Sequence, residues 1–471
     1  MTTAGKNPGS KSLNEAASAK GRLDVIKQVY LIGIGGIGMS GLARYFQKRG
    51  CFVSGYDRTQ TELTNALENE GIDITYSDNI EEIPVELHEN NPSALIIFTP
   101  AIPKNSVILN FFIAKGFKLL KRSQVLGLIS KEMFTVAVAG THGKTTTSTM
   151  VAHILKHSGF DCTAFLGGIA SNYDTNVLFG KNNVMVVEAD EYDRSFLTLH
   201  PDIAIITSMD ADHLDIYGDD ASVKESFKLF ASQLKKGGTL IHKKGLDLAN
   251  GLTYSASQKA DVSAENVSIQ NGTFFFDFVS AEAEIKEIEL GLPGLHNVEN
   301  SVAAIQAALL LGIKPEKIKD ALKDFTGIKR RFEFIVKTPE NIFIDDYAHH
   351  PEELRACITA VKSLYPDRKL TVIFQPHLFS RTRDFAAGFA EVLSKADELI
   401  LLDIYPAREL PIEGVSSAII LDKVTAPSSK IYEKHEALAF VSKHKPALLL
   451  TVGAGDIDTL VQPLKTLLTN A

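Results

Sequence analysis

The chain has 471 residues, 45% hydrophobic and 23% charged, and a net charge of −8. That length exceeds what one hydrophobic core supports and calls for about two to four domains. The acidic balance argues against a broad nucleic-acid surface, and no apolar run reaches the roughly 18 residues of a membrane-spanning helix.

The three cysteines, Cys51, Cys162 and Cys357, stand far apart with no CxxC. They fit a reducing compartment and small buried hydrophobes rather than metal thiolates. Residues 1–27 are rich in Lys, Ser, Ala, Gly and Asn, with no apolar periodicity. They lack the apolar core of a secretory signal, so they read as a flexible tail on a cytoplasmic protein.

Three α/β blocks follow. The first opens with the strand Gln28–Ile32 and continues through strands at 52–55 and 94–98. Helical stretches alternate with these strands, which predicts a parallel sheet with crossovers. Directly after the first strand comes Gly33-Ile34-Gly35-Gly36-Ile37-Gly38, a glycine turn that lets backbone approach a diphosphate at a helix N-terminus. Asp57 ends the next strand, where a dinucleotide site keeps its ribose acid. On spacing alone, a nicotinamide dinucleotide and the diphosphate of a sugar nucleotide fit this turn equally.

The second block opens at Phe134. Its apolar run leads into Ala139-Gly140-Thr141-His142-Gly143-Lys144-Thr145-Thr146-Thr147, then a helix expected over 147–157. A strand, a glycine loop with Lys-Thr and a helix make a phosphate cradle. Loop amides and the helix N-terminus favour the anion, Lys144 reaches the terminal phosphates, and the Thr145 hydroxyl suits Mg²⁺. The loop is shorter than the usual Gly-x-x-x-x-Gly-Lys spacing.

Strands at 184–187 and 203–206 are each followed by acids, Glu188-Ala189-Asp190-Glu191 and Asp210-Ala211-Asp212-His213-Leu214-Asp215. Carboxylates at strand ends beside a phosphate loop suit Mg²⁺ coordination. A helical face is expected from Val223 to Leu234. Asn271-Gly272 before a Phe-rich run marks a hairpin. Leu295-His296-Asn297-Val298-Glu299-Asn300 precedes a helix expected at 301–310, where Asn and His either cap the helix or read a base edge.

The third block starts near Gly327, with strands expected at 342–344, 370–374, 399–402 and 447–450. Arg330-Arg331-Phe332-Glu333 stands at its entrance, where an Arg either reaches a phosphate or is surface charge. Asp345-Asp346-Tyr347-Ala348-His349-His350-Pro351 and Phe374-Gln375-Pro376-His377, the latter followed by Arg381-Thr382-Arg383, come after strands, at the ligand edge of an open sheet.

Taken together, GIGGIGMSGLA, SGYD, AGTHGKTTT, EADEYDRSFL, DADHLD, LPGLHNVEN, RRFE, DDYAHHP, FQPH and SRTRD resemble, in order, the motifs of the Mur ligase family. These are ATP-dependent amide-forming enzymes of peptidoglycan precursor synthesis. The resemblance runs from Gln28 to the C-terminus. It implies a Rossmann-like UDP-sugar domain over 28–130, a central P-loop ATPase domain with a mostly parallel sheet over 131–326, and a Rossmann-like ligase domain over 327–471. It also removes the nicotinamide reading.

Carried over by position, Gly35, Gly36, Gly38, Met39, Ser40, Asp57, Thr99, Ala101 and Arg122 match the UDP-sugar side, with Asn172, Tyr173 and Ser195 on the sugar-carboxylate side. Gly140, Thr141, His142, Gly143, Lys144, Thr145 and Thr146 match the ATP loop, and His296 and Asn300 the adenine contacts. Arg331 and Asp346 match the ATP side of the third domain. Thr145, Glu188 and His213 match Mg²⁺ ligands, and Lys144, Glu188, His213 and Arg331 carry the catalytic charge. His349, His350, Arg381 and Arg383 fall on the amino-acid and product side.

The implied substrates are ATP with Mg²⁺, UDP-N-acetylmuramate and L-alanine; the alternative second substrate is a murein tripeptide. Ser195 to Pro201 follow EADEYD with no extra segment, which favours L-alanine. Tyr192 and Leu378 depart from the family pattern, in which Ser and a basic residue are common. Some relatives carry a carbamoylated lysine beyond the metal histidine. Here Ser226 and Phe227 stand at that distance and Lys224 is the nearest lysine, so no carbamate is expected.

Overall fold

Strands β1 (Gln28–Ile32), β2 (Phe52–Tyr56), β3 (Asp73–Thr75), β4 (Ala94–Phe98) and β5 (Leu119–Lys121) form one parallel sheet in the order β3-β2-β1-β4-β5. The computed structural model describes residues 23–210, 217, 219–270, 273–407 and 409–469. Apolar residues fill both faces of β1, as a parallel sheet covered on both sides requires. Val29 and Leu31 pack with Leu42 and Phe46 of α1 (Ile37–Lys48), while Tyr30 and Ile32 pack with Ile108 and Phe112 of α3 (Val107–Ala114). The intervening α2 spans Glu62–Asn69. Neighbours lie on either side of β1, so the strand order switches there, and the Gly33–Gly38 turn opens at that switch point.

One expectation is corrected here. Residues 23–27 are not a free tail: Leu23 is buried in the same core as Val29, and Asp24 pairs with Arg49 at 2.6 Å. Two apolar anchors, Leu23 and Ile26, hold a segment that composition alone assigns to solvent.

After α4 (Arg122–Glu132), a second sheet of ten strands is centred on β6 (Phe134–Ala139). Beside β6 lie β9 (Val184–Glu188) and β10 (Ile203–Ile206), both parallel to it. Beyond β9 come β7 (Thr163–Ala170) and β8 (Thr175–Leu178), and beyond β10 come β11 (Thr239–Lys243) and β12 (Leu252–Ser255). The sheet ends in the antiparallel run β13 (Val262–Gln270), β14 (Thr273–Ser280) and β15 (Glu284–Leu290), so the hairpin strands stand where the Phe-rich run places them. The Asn271-Gly272 turn itself lies outside the described residues.

Helix α5 runs Lys144–His157 and α6 Asp220–Ser232. Helix α7 runs Leu295–Leu310, and α8 Pro315–Asp324. Both α5 and α7 begin earlier than expected, because Gly143 and Gly294 with positive φ start them and draw the motif residues into the first turns. The core is continuous from the first sheet into the second through Leu126, Phe165, Phe196 and Phe227.

The chain divides into two compact units after Phe325. The second unit holds a six-stranded sheet. Its strands are β16 (Glu333–Lys337), β17 (Ile342–Asp346), β18 (Leu370–Phe374), β19 (Glu398–Leu401), β20 (Ser429–Ile431) and β21 (Leu448–Val452), ordered β16-β17-β21-β18-β19-β20. Only β16 is antiparallel to its neighbour. Helices α9 (Pro351–Leu364) and α10 (Phe379–Leu393) cover one face, with Leu354, Ile358 and Phe389 in the core. All three cysteines are free and buried, as small hydrophobes are. No helix among the described residues is long and apolar enough to cross a membrane.

Candidate functional site

The loop after β6 is held by the strand beside it. The hydroxyl of Thr207 donates to the carbonyls of Ala139 and His142, the amide of His142 donates to Ser208 Oγ at 2.7 Å, and Thr141 Oγ1 meets the same oxygen at 2.8 Å. Gly140 has φ 137° and Gly143 φ 83°, so both need glycine. A Cβ at Gly140 would collide with Thr207 Oγ1, and one at Gly143 would lie 2.8 Å from Asn300 Oδ1. Asn300, buried on α7, therefore sits against the loop. His296 is exposed on the first turn of α7. Helix α5 begins at Lys144, so the free amides of its first turn lie beside the loop. Thr145 is buried there and Thr146 is half-buried. His142 is exposed, 4.0 Å from Asp210.

The end of β9 supplies three acids with different partners. Glu188 is half-buried and accepts the Gly167 amide at 3.1 Å. Asp190 lies 3.5 Å from Arg122. Glu191 is 1% exposed and takes the Lys144 ammonium at 2.8 Å. Burial pushes the Glu191 carboxyl above the usual carboxylate range, and Lys144 works against that.

Beside this turn is a cavity of about 120 Å³ lined by Gly38, Arg122, Gly167, Asn176, Glu188 and Asp190. Arg122 lies close against Gly38 at the start of α1. A smaller recess brings in Ser195, whose hydroxyl donates to the Asp190 carbonyl at 2.8 Å. The first-sheet glycine helix, Arg122 and the strand-end acid thus share one cavity.

Other expected residues go elsewhere. Asp57 folds back onto its own turn, where Oδ2 accepts the Gly35 amide at 2.8 Å and shapes the glycine loop. Thr99 packs its methyl group against Gly33, and Ala101 follows in the same connection. Gly36 starts α1 as its cap, while Met39 and Ser40 are buried within that helix. Asn172 donates to the Asp324 carbonyl at 2.7 Å and Tyr173 bonds His153, so neither lines the cavity. His213 lies outside the described residues.

In the second unit, the two arginines at the entrance separate. Arg330 is the structural one: Nε lies 3.1 Å from Asp345, Nη2 donates to the Gly453 carbonyl at 2.6 Å, and the guanidinium stacks 5.2 Å from the Tyr347 ring. Arg331 is exposed. Asp346 accepts the amides of Phe332 and Ala348, each at 2.7 Å, and burial pushes its carboxyl up to about 6. His350 caps α9, its Nδ1 accepting the Glu352 amide at 3.4 Å, and Arg383 pairs with Asp384 in solvent.

The remaining residues do gather. The His349 ring packs 5.9 Å from His377, which stacks on Tyr405, and Arg381 is on the first turn of α10. His377 Nδ1 and Arg381 Nη1 are buried without hydrogen-bond partners. Burial, then His349 and Arg381, lower His377 to about 4, so its ring is neutral at pH 7. Leu378, at φ 70°, caps the same helix. Buried polar atoms without partners next to a cation suit an anionic ligand.

Sequence reasoning passed over Asn176, and it offered Asp190 and Glu191 only as part of an acidic run suited to Mg²⁺, without their pairing with Arg122 and Lys144. Among the described residues no three His, Cys, Asp or Glu gather to hold a metal by themselves. Glu188 and Thr145 are oxygen donors of the kind Mg²⁺ takes when phosphates and water complete its shell, so the residues present fit that ion.

Three family profiles match the chain in tandem. They are described as Mur ligase family, catalytic domain, over residues 28–133; Mur ligase middle domain, over 138–308; and Mur ligase, glutamate ligase domain, over 330–455. A UDP-N-acetylmuramate–L-alanine ligase of Parabacteroides distasonis is 51% identical over 454 residues, 95% of this chain and 98% of that protein. Its counterpart in Flavobacterium psychrophilum is 50% identical over 443 residues, 94% of this chain and 98% of that one. Among solved structures, a UDP-N-acetylmuramate–alanine ligase from Thermotoga maritima has a TM-score of 0.79 at 28% identity, covering 93% of this chain and 98% of that one.

Proposed function

This chain belongs to the Mur ligase family, and we propose that it joins L-alanine to the carboxylate of UDP-N-acetylmuramate with cleavage of ATP to ADP and phosphate, in peptidoglycan precursor synthesis. The observation that carries the reading is the shared cavity: Gly38 and Arg122 on the sugar-nucleotide side meet Glu188, one turn from the Glu191 that holds Lys144 of the phosphate loop.

The chemistry explains why these groups stand together. A free carboxylate does not accept an amine near neutral pH, because oxide is a poor leaving group. Transfer of the γ-phosphoryl group from ATP to a muramoyl carboxylate oxygen gives an acyl phosphate and ADP. The neutral amine of L-alanine then attacks the carbonyl carbon, the C–O bond to phosphate breaks, and the amine proton leaves to a base or to solvent.

Two anions must approach in the first step. Lys144 and the α5 amides offset the charge on the phosphates, and Arg122 offsets that of the sugar diphosphate. Mg²⁺, when bound through Thr145, Glu188 and His213, adds further charge stabilisation at the phosphates. Asn300 and His296 take the adenine side, and Arg331 and Asp346 the ATP side of the second unit. The anion-ready pair His377 and Arg381, with His349, takes the L-alanine carboxylate. The UDP-sugar, ATP and ligase roles thus fall on residues 28–130, 131–326 and 327–471.

The test is phosphate release with ATP, Mg²⁺ and UDP-N-acetylmuramate, run in parallel with L-alanine and with L-alanyl-γ-D-glutamyl-diaminopimelate. Release that depends on L-alanine supports the reading. Release with the tripeptide alone moves the second substrate and leaves the ATP chemistry intact.

A further inference from the structure

Glu191 is the most deeply buried charge in the turn after β9. Lys144 Nζ lies 2.8 Å from each of its carboxylate oxygens. Only Oε1 has hydrogen-bonding geometry, and Oε2 is buried with no hydrogen-bond partner. Among the described residues of this turn, Asp190 faces Arg122, and the Arg194 guanidinium stands 5.4 Å from the Tyr217 ring. The Tyr217 hydroxyl donates to the Glu191 backbone carbonyl at 2.6 Å, which fixes the turn without touching the carboxylate. Lys144 is 14% exposed at its side chain and Glu191 2%, so solvent screens this pair weakly.

In a phosphate loop the lysine reaches the terminal phosphates of the nucleotide. Here the ammonium is already neutralised, by an acid fixed on a neighbouring strand end. The loop then offers a polyphosphate backbone amides, a helix terminus and a lysine whose charge is partly offset, and the Glu191 charge opposes the phosphates. A ligand that brings its own divalent cation escapes this penalty, because the cation faces the same carboxylate favourably.

We propose that Glu191 is a specificity-determining residue of the phosphate loop: by neutralising Lys144 it makes nucleotide binding depend on the divalent cation that travels with the nucleotide. The inference rests on reading the loop as the nucleotide site. It concerns a residue to which the reaction scheme above gives no role.

The experiment is calorimetric titration of the full chain with ADP, in EDTA and in excess Mg²⁺, for wild type, Glu191→Gln and Glu191→Asp, with thermal melts to check folding. Gln keeps the acceptor oxygen and removes the charge. The expected result is about tenfold tighter metal-free binding in Glu191→Gln and a change of less than about threefold with Mg²⁺, so that the metal dependence shrinks. Glu191→Asp keeps the wild-type ratio. Unchanged or weaker metal-free binding in Glu191→Gln overturns the proposal, and a merely structural role gives that outcome. Wild type alone also decides it, whatever the variants do: equal affinity with and without Mg²⁺ overturns the proposal. No ADP binding in either condition overturns the nucleotide-site reading together with it.

Discussion

The Tyr173 hydroxyl lies 2.9 Å from His153 Nδ1, and the far nitrogen of the same ring, Nε2, lies 2.9 Å from the Ala321 carbonyl. A carbonyl only accepts, so Nε2 carries the hydrogen, Nδ1 is bare, and Tyr173 donates to it. The ring is 1% exposed and joins α5 to α8 through neutral hydrogen bonds. Burial lowers His153 from 6.5 to about 4, and the backbone bond to Ala321 only partly offsets this.

This arrangement sets a pH dependence of stability. The unfolded chain binds the proton below 6.5 and the folded chain only below about 4, so stability is complete above 6.5 and is lost as pH falls through that window. The loss is about 2 kcal/mol by pH 5 and about 3 kcal/mol over the whole window. Melting temperatures of wild type and His153→Gln between pH 7.5 and 5 check it. The wild type should fall more steeply, and parallel curves would show that His153 stays neutral for another reason.

Lys144 is the one cation fixed against the phosphate loop among the described residues, between Glu191 and the Thr141 carbonyl. Replacing it by Ala should lower kcat about a hundredfold to a thousandfold, the scale of one charge-stabilising donor in a closed site. Phosphate release is the readout. Near wild-type turnover in Lys144→Ala would remove the loop from the ATP site.

Much of this was legible in the chain because the strands before each motif are buried on both faces and read as plain apolar runs. Val136 to Ala139 and Leu448 to Leu450 are examples. Glycines with positive φ marked the turns for the same kind of local reason. Pairings across the fold were not legible. Nothing in the spacing says that Glu191 rather than Glu188 meets Lys144, or that Asn172 and Tyr173 turn toward α8 instead of the cavity. Helices α5 and α7 start earlier than the sequence predicts because Thr145, Thr146, His296 and Asn297 are weak helix formers that the glycines before them commit to a first turn.

Gly38 tests the sugar-nucleotide side. A Cβ there would meet the end of the Arg122 side chain, which is flexible and can move. Gly38→Ala should therefore fold with a melting temperature close to wild type while displacing Arg122 from the cavity. Loss of one charge-assisted contact to a diphosphate corresponds to about a tenfold rise in KM for UDP-N-acetylmuramate, with KM for ATP little changed. An equal rise in both values would point to a general disturbance of the unit and count against the assignment of Arg122.

Arg381 tests the amino-acid side. Its Nη1 and the Nδ1 of His377 are buried without partners at the start of α10, an arrangement that costs stability unless a ligand completes it. A carboxylate is the complement: it accepts from the guanidinium, and it meets a neutral His377 with no second cation needed. Arg381→Ala should raise KM for L-alanine about thirtyfold, the equivalent of one buried charge-assisted hydrogen bond, and leave KM for ATP and for UDP-N-acetylmuramate within about twofold. Removing a half-buried guanidinium whose Nη1 has no hydrogen-bond partner should also leave the melting temperature equal to wild type or higher. Arg383→Ala is the matched control, since Arg383 pairs with Asp384 in solvent and should leave KM for L-alanine unchanged. If the Arg383 variant loses L-alanine affinity and the Arg381 variant does not, the carboxylate binds on the solvent face of α10 and the buried pair has another purpose.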